Sequence, residues 1–155
     1  MPNWCNNRVT ISAGTVEEQE QLDEIVQIFK KDNPFQVLYP MPDFDKIPHP
    51  ETGELPVAEE IKNPAGEVVH VSTRWADGTQ DTRWYDWRTS HWDTKWDINE
   101  KDVEWCDEEG DYVTFSFDTA WAPPEGVVRE LRDKYPDVSI SWFYDEPGME
   151  FAGYL

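Results

Sequence analysis

The fold follows from one stretch, RVTISAGTVEEQEQLDEIVQIF at residues 8–29. Its first residues alternate polar and apolar side chains, which predicts a strand with Val9 and Ile11 on one face. Thr15 and Glu18 then form a capping box, in which the hydroxyl accepts the Glu18 amide proton and the Glu18 carboxylate reaches back to the cap. The stretch therefore predicts a strand followed by a helix, and the helix buries Leu22, Ile25, Val26 and Phe29.

The C-terminal third of the chain has the same kind of pattern. Residues 111–119, DYVTFSFDT, alternate as a strand does, and a helix is expected from Pro123 to Tyr135, since proline is tolerated in a first turn. Residues 139–145 alternate again. A type II turn at Pro147–Gly148 should then lead into a last strand at 151–155, which returns as a hairpin.

The middle of the chain is less regular. FQVLYP at 35–40 is predicted as a second short strand, which makes the opening β-α-β. Residues 40–66 hold six of the twelve prolines and are expected to be irregular. Residues 67–73 are a candidate strand, and Asp77–Gly78 indicates a turn. The acid-rich residues 102–111 are predicted to form a solvated loop.

These elements add up to β-α-β, a long middle and β-α-β-β. Two such units are expected to make one mostly antiparallel sheet with both helices on one face, which is an α+β, ferredoxin-like sandwich. We expect a single domain over residues 1–155, in which an irregular insertion at about 40–110 carries a tryptophan-rich helical segment.

The charge of the chain indicates what it binds. Net charge is −20, from 33 acids against 13 bases, so direct binding to a phosphate backbone is not expected. Solubility or a saline environment would each explain such acidity. A sharper alternative is docking onto a basic protein, with imitation of a nucleic acid as one form of it. The candidate docking face consists of Glu17, Glu18, Glu20, Asp23, Glu24, Asp102, Glu104, Asp107, Glu108, Glu109 and Asp111.

Several classes of site and location are not supported. No apolar run reaches a transmembrane length and MPNWCNNR is unlike a signal peptide, so a cytoplasmic protein with no membrane partner is expected. Cys5 and Cys106 suit reduced thiols, and Cys5 is expected to be a small buried residue rather than a nucleophile. No metal and no cofactor are expected, because metal-ligand spacing is lacking at His49, His70 and His91.

The segment WYDWRTSHWDTKWD at 84–97 holds four of the nine tryptophans. In a helix its rings and cations share one half of the wheel, so the segment is predicted to be a helix or two helical turns. One interpretation is a helix packed on the sheet, with buried tryptophans and with Arg88 stacked on a ring and paired with an acid such as Asp118 or Asp145. The other is a pocket for an anionic or planar group, lined by Trp84, Trp87, Arg88, His91, Trp92, Lys95 and Trp96.

Four blocks of the sequence resemble the YubB-type ferredoxin-like family. They are MPNWCNNRVTI at 1–11, the segment at 84–97, FSFDTAWAPP at 115–124 and YDEPGMEFAGY at 144–154. The chain departs from the family pattern at His91 and Asp93, where the family favours Asn and Gly respectively. The resemblance implies a ferredoxin-like fold and an origin in bacteriophages or conjugative plasmids, and it implies no reaction.

Two function classes follow. The first is a non-enzymatic accessory protein of a phage or mobile element, which binds a host or phage protein with a basic surface through its acidic surface. The second is a small enzyme or ligand-binding protein that uses the segment at 84–97 as its pocket. A dimeric module that pairs sheet edges is a third. The first is preferred because no set of nucleophile, base and orienting group is visible in the sequence.

Overall fold

A computed structural model describes residues 2–155, and within one strand it describes only the backbone of residues 69–72, so the side chain of His70 lies outside the described residues. The elements are β1 (Trp4–Ser12), α1 (Val16–Phe29), α2 (Pro34–Leu38), β2 (Val57–Lys62), β3 (Val68–Arg74), α3 (Arg83–His91), β4 (Glu104–Glu108), β5 (Tyr112–Ala120), α4 (Glu125–Lys134), β6 (Ser139–Glu146) and β7 (Phe151–Tyr154). They form two compact units, one made of residues 2–40 and 88–155 and the other of residues 41–87.

The first unit contains a five-stranded sheet in the order β4-β5-β1-β6-β7. Every neighbouring pair in it is antiparallel, and Val9 of β1 lies between Phe115 of β5 and Trp142 of β6. Since β5 and β6 flank β1, the connection through α4 crosses over β1 as a split β-α-β unit. The second unit contains the two-stranded antiparallel sheet of β2 and β3.

Both long helices lie on the same face of the five-stranded sheet. On that face Val9, Phe115 and Trp142 are fully buried, and Phe29 of α1 packs with its ring centroid 4.9 Å from that of Phe115. The other face exposes polar side chains such as Arg8. Because α1 and α4 each bury an apolar stripe, both must cover the first face. The α+β ferredoxin-like arrangement is thus confirmed.

The predicted capping of α1 is confirmed with one change of partner. The Thr15 hydroxyl accepts the amide proton of Glu18 at 3.2 Å, as a capping box requires. The Glu18 carboxylate, however, accepts from the backbone N–H of Gly14, one residue before the cap. Leu22, Ile25 and Phe29 are buried, as their spacing predicts, while Val26 is only half-buried.

The strand predicted at 35–40 is wrong, because Pro34–Leu38 is helix α2. Asn33 turns the chain with a φ of 60°, and its own side chain makes no capping bond. The carboxylate of Asp97 instead accepts the N–H groups of Phe35 at 3.0 Å and Gln36 at 2.9 Å. This cap comes from far along the chain, so local sequence could not reveal it. The opening is therefore β-α-α.

The loop predicted at 102–111 is also wrong in part. Glu104–Glu108 forms β4 at the edge of the sheet, with an irregular register between Trp105 and Asp107. The Trp105 ring packs 4.9 Å from Phe115 while the acids on either side point to solvent. An edge strand with many charges resists pairing with other chains. Those same charges hide the strand pattern in the sequence.

The region at 40–66 is less irregular than predicted, since Val57–Lys62 pairs with β3 as a hairpin. The turn at Asp77–Gly78 is confirmed: Gly78 has a φ of 88°, and the Thr79 N–H donates to the Asp77 carboxylate at 2.9 Å. Proline content predicted irregular structure correctly for the segment before β2, but it does not exclude an edge hairpin.

The turn between β6 and β7 is not the type II turn that was predicted. Its left-handed residue is Glu150, with a φ of 59°, and Gly148 has no positive φ. The buried carboxylate of Glu146 accepts the N–H of Met149 and draws the turn inward. A Cβ at Gly148 would lie 2.9 Å from Cγ of Asn3, so the glycine is needed for close approach.

Candidate functional site

The tryptophan-rich segment is helical only in its first part. α3 ends at His91, and the residues from Trp92 to Asp97 are turns, bends and irregular chain. A continuous helix over 84–97 is therefore wrong beyond residue 91, whereas the alternative of two helical turns agrees with α3. Asp93 stops the helix with a φ of 69°, a conformation that glycine or asparagine adopts with less strain. The boundary between the two compact units falls after Trp87.

The structure separates the tryptophans that were predicted to share one buried face. Trp92 is 0% exposed, donates its indole N–H to the carbonyl of Tyr39 at 2.8 Å, and its ring meets the edge of Phe35. Trp96 is 40% exposed. In the other unit, Trp84 and Trp87 are half-buried. Burial is therefore confirmed for Trp92 and wrong for Trp96.

The two cations of the segment and its histidine lie against rings. The Arg88 guanidinium stacks 4.8 Å from the Trp92 centroid and donates to the carbonyl of Lys95 at 3.3 Å. Lys95 places its ammonium 4.2 Å from the Trp96 ring. His91 is half-buried and lies edge-on to Tyr39 at 5.7 Å. Stacking of Arg88 on a ring is confirmed.

A carboxylate whose charge acts on Arg88 is that of Asp97, which was not among the predicted candidates Asp118 and Asp145. Burial lowers the pKa of the Arg88 guanidinium, and the charge of Asp97 opposes this shift. Burial also raises the pKa of Asp97, against the backbone N–H donors at Gln36, Ile98 and Phe35. A helix continued to residue 97 would place Asp97 on the half of the wheel opposite the rings and cations, but α3 ends at residue 91 and Asp97 is half-buried instead.

We expect Asp97→Ala to destabilise the protein by about 2 kcal/mol, since it removes the cap of α2 and leaves buried N–H donors unsatisfied. Urea unfolding followed by circular dichroism measures the change. The matched control is Asp118→Ala, an exposed acid for which we expect a change within about 0.5 kcal/mol. Equal effects of the two substitutions would contradict the structural role of Asp97.

A cleft of about 410 Å³ opens beside this segment within the first unit. The Trp4 and Trp96 rings form one wall, with centroids 6.0 Å apart and planes tilted by 34°. Of its acids, Asp102 and Asp118 are exposed. The complete lining is Trp4, Trp96, Asp97, Ile98, Asp102, Asp118, Thr119 and Ala120.

Three exposed tryptophans gather at this end of the sheet. Trp4 and Trp121 are each 46% exposed, and Trp96 adds a third exposed ring. Trp4 pairs with Ala120 across β1 and β5, and the backbone N–H of Trp121 donates to the carbonyl of Asn3 at 2.8 Å. Trp121 also has a φ of 70°, which is uncommon for a bulky residue and marks a strained position. Sequence reasoning missed Trp4 and Trp121.

The predicted docking acids are at the surface. All are exposed except Glu18, which is half-buried. The backbone of Asp111 accepts the N–H of Ala13 at 2.8 Å, which joins the β4–β5 turn to the chain that enters α1. Lys30 at the end of α1 forms an ion pair with Glu108 at 2.7 Å. The two stretches therefore adjoin at both ends of α1.

Cys5 is buried on the helix-covered face of β1. Burial raises the pKa of its thiol to about 11, and nearby Glu146 adds to the shift. The thiol is therefore protonated at neutral pH. Such a group packs as a small apolar side chain and is a poor nucleophile.

The second unit holds a buried ion pair that sequence reasoning did not single out. Arg83 binds the carboxylate of Asp81 at 2.9 Å and donates to the carbonyl of Phe44 at 2.8 Å. Its guanidinium lies 4.7 Å from the centroid of Trp75. Burial alone would raise the pKa of Asp81, but the bonds from Arg83 outweigh it and hold that pKa below its usual value. The pair is a structural contact of this unit.

Two features are absent from the residues that the structure describes. Within them, no group of three or more histidine, cysteine, aspartate or glutamate side chains is arranged to hold a metal ion. No helix among them combines the length and the apolar character needed to cross a membrane.

Comparison with known proteins supports the fold. Residues 91–155 match the family model described as a ferredoxin-like domain in Api92-like protein. The crystal structure of protein Api92 from Yersinia pseudotuberculosis is similar with a TM-score of 0.59 and 14% identity, over 99% of this chain and 93% of that chain. The search of curated proteins found no match. The chain is thus a ferredoxin-like α+β protein, and its residues 91–155 are similar to the ferredoxin-like domain of Api92-like proteins.

Proposed function

We propose that this chain is a non-enzymatic binding protein that docks onto a protein with a basic surface through its acidic face. The face consists of the exposed acids of α1 and those of the Asp102–Asp111 stretch. The resemblance of four sequence blocks to a phage and plasmid family adds that the chain is an accessory protein of a mobile element. It would act in the cytoplasm of the host cell, and one form of the docking is imitation of a nucleic acid.

One observation carries this proposal: the two acidic stretches adjoin. Asp111 and Glu18 bind consecutive backbone N–H groups, those of Ala13 and Gly14, so the β4–β5 turn and the first turn of α1 share one corner. Lys30 neutralises Glu108 at the far end of α1. Among the residues that the structure describes, the other acids of these two stretches form no ion pair, and most are exposed. Their surface charge favours a partner of opposite sign.

The test is affinity capture from a bacterial lysate with the immobilised chain at low and at high salt. We expect the captured proteins to be basic and to be released by salt, because exposed ion pairs are screened. Capture should weaken about tenfold when α1 is neutralised with Glu17→Gln, Glu20→Gln, Asp23→Asn and Glu24→Gln. Competing DNA should displace a partner that binds nucleic acids.

The control is a variant with the same change of charge in the other unit, made with Asp45→Asn, Glu51→Gln, Glu54→Gln and Glu60→Gln. All four residues are exposed. We expect this variant to capture the same proteins as the unchanged chain. If both variants lose capture equally, the acidity acts through net charge alone, and a defined docking face is excluded.

A further inference from the structure

We infer that the cleft between Trp4 and Trp96 receives a cationic side chain, an arginine or a lysine, from the basic partner. This inference rests on the proposed function, and it locates one contact with the basic partner in this cleft. The site is the cleft of about 410 Å³ whose wall is formed by these two rings. Its acids are Asp102 and Asp118, and Asp102 is also a member of the docking face, so the cleft continues that face.

The aromatic wall suits a cation. The faces of tryptophan rings attract ammonium and guanidinium groups within about 6 Å of the centroid. The chain itself provides an example, because the Lys95 ammonium lies 4.2 Å from the Trp96 ring. The rings of Trp4 and Trp96 are 6.0 Å apart and tilted, which is too close to hold a cation between them. The partner's cation would therefore lie against the side of the pair that faces the cleft.

The acids of the cleft divide into one structural and two available carboxylates. The Asp97 carboxylate already accepts hydrogen bonds from the backbone N–H groups of Phe35, Gln36 and Ile98. Asp118 uses one oxygen to accept from the Asn6 amide at 3.0 Å, and Asp102 uses one to accept from the N–H of Asn99 at 3.0 Å. Each of these two exposed carboxylates has a second oxygen that can accept a charge-assisted hydrogen bond from a guanidinium or ammonium.

The chemistry of the cleft excludes other occupants. Two carboxylates at its rim repel a phosphate or another carboxylate at close range. A neutral apolar side chain would fit the rings but would desolvate the acids without compensation. A long cationic side chain meets the needs of both the rings and the acids, because its methylene stem packs on the indoles while its charged end reaches the carboxylates.

The test uses nuclear magnetic resonance of the ¹⁵N-labelled chain with three short glycine-flanked peptides that contain arginine, lysine or citrulline. Citrulline is the neutral isostere of arginine. The indole N–H signals of Trp4 and Trp96 are assigned from Trp4→Phe and Trp96→Phe. We expect the arginine peptide, the lysine peptide or both to shift these two signals saturably, and the citrulline peptide to leave them in place.

Matched variants separate the cleft from general acidity. Asp102→Asn with Asp118→Asn should weaken peptide binding about tenfold. Asp45→Asn with Glu51→Gln, an equal change of charge at exposed residues outside the docking face, should leave peptide binding unchanged. Equal responses to arginine and citrulline, or equal binding by both double variants, would overturn the inference.

The same variants distinguish this inference from the proposed function. Retained capture of basic proteins by the Asp102→Asn, Asp118→Asn variant would refute the cleft and leave the docking face standing. Failure of the unchanged chain to capture any basic protein, together with saturable peptide binding in the cleft, would refute the docking face alone.

Discussion

Gly126→Ala is expected to destabilise the protein by more than about 3 kcal/mol, one of the largest effects of any single substitution. Gly126 is buried at the start of α4, and a Cβ there would lie 1.6 Å from the carbonyl oxygen of His91. Because that oxygen belongs to the backbone, the clash cannot be relieved by a change of side-chain rotamer. The chain around Asp93 would have to move, which would also break the 2.9 Å bond from the Gly126 N–H to the Asp93 carboxylate.

Gly110→Ala is the matched control for this prediction. Gly110 has no positive φ, and a Cβ there would meet nothing within 4 Å. We expect the free energy of unfolding of the Gly110→Ala variant, measured with urea, to stay within about 0.5 kcal/mol of that of the unchanged chain. If Gly126→Ala is as stable as Gly110→Ala, α4 does not pack against the end of α3 as the structure has it.

Trp92→Ala is the second substitution with a large expected effect, a loss of about 3–5 kcal/mol. Trp92 is fully buried, so the change removes a large apolar side chain and leaves a cavity. It also removes the indole donor of the Tyr39 carbonyl and the ring on which Arg88 stacks. The midpoint of urea unfolding measures the loss, and the slope of the transition shows whether unfolding remains two-state.

Two variants resolve this loss into its parts. Trp92→Phe keeps a ring and loses the indole donor, so it should cost about 1–2 kcal/mol. Trp96→Ala removes the same side chain from a position that is 40% exposed and should cost less than about 1 kcal/mol. Similar losses for Trp92→Ala and Trp96→Ala would mean that the segment is not divided into a buried and an exposed tryptophan.

The tryptophan-rich segment shows how much of the candidate site the sequence could predict. Stacking of Arg88 on a ring follows from composition and spacing, and the structure has it. The length of the helix does not follow, because the rings of residues 92–97 fit the helical wheel as well as those before them. The helix stops at Asp93, which has a left-handed backbone and whose side-chain carboxylate accepts the Gly126 N–H from another element. A contact between residues so far apart in the chain leaves no pattern in the local sequence.

By itself, the sequence determined β1, α1, β5, α4 and β6, because alternation, helical spacing and caps are local properties. It also determined that both long helices share one sheet face, since each has a single apolar stripe to bury. Only the tertiary structure decided α2, which depends on the distant carboxylate of Asp97, and β4, which β5 recruits despite its charges. Only pairing of β1 with β5 brought Trp4 close to Trp121, and the early end of α3 left Trp96 beside them. The cleft therefore consists of residues far apart in the chain, and no local preference could predict it.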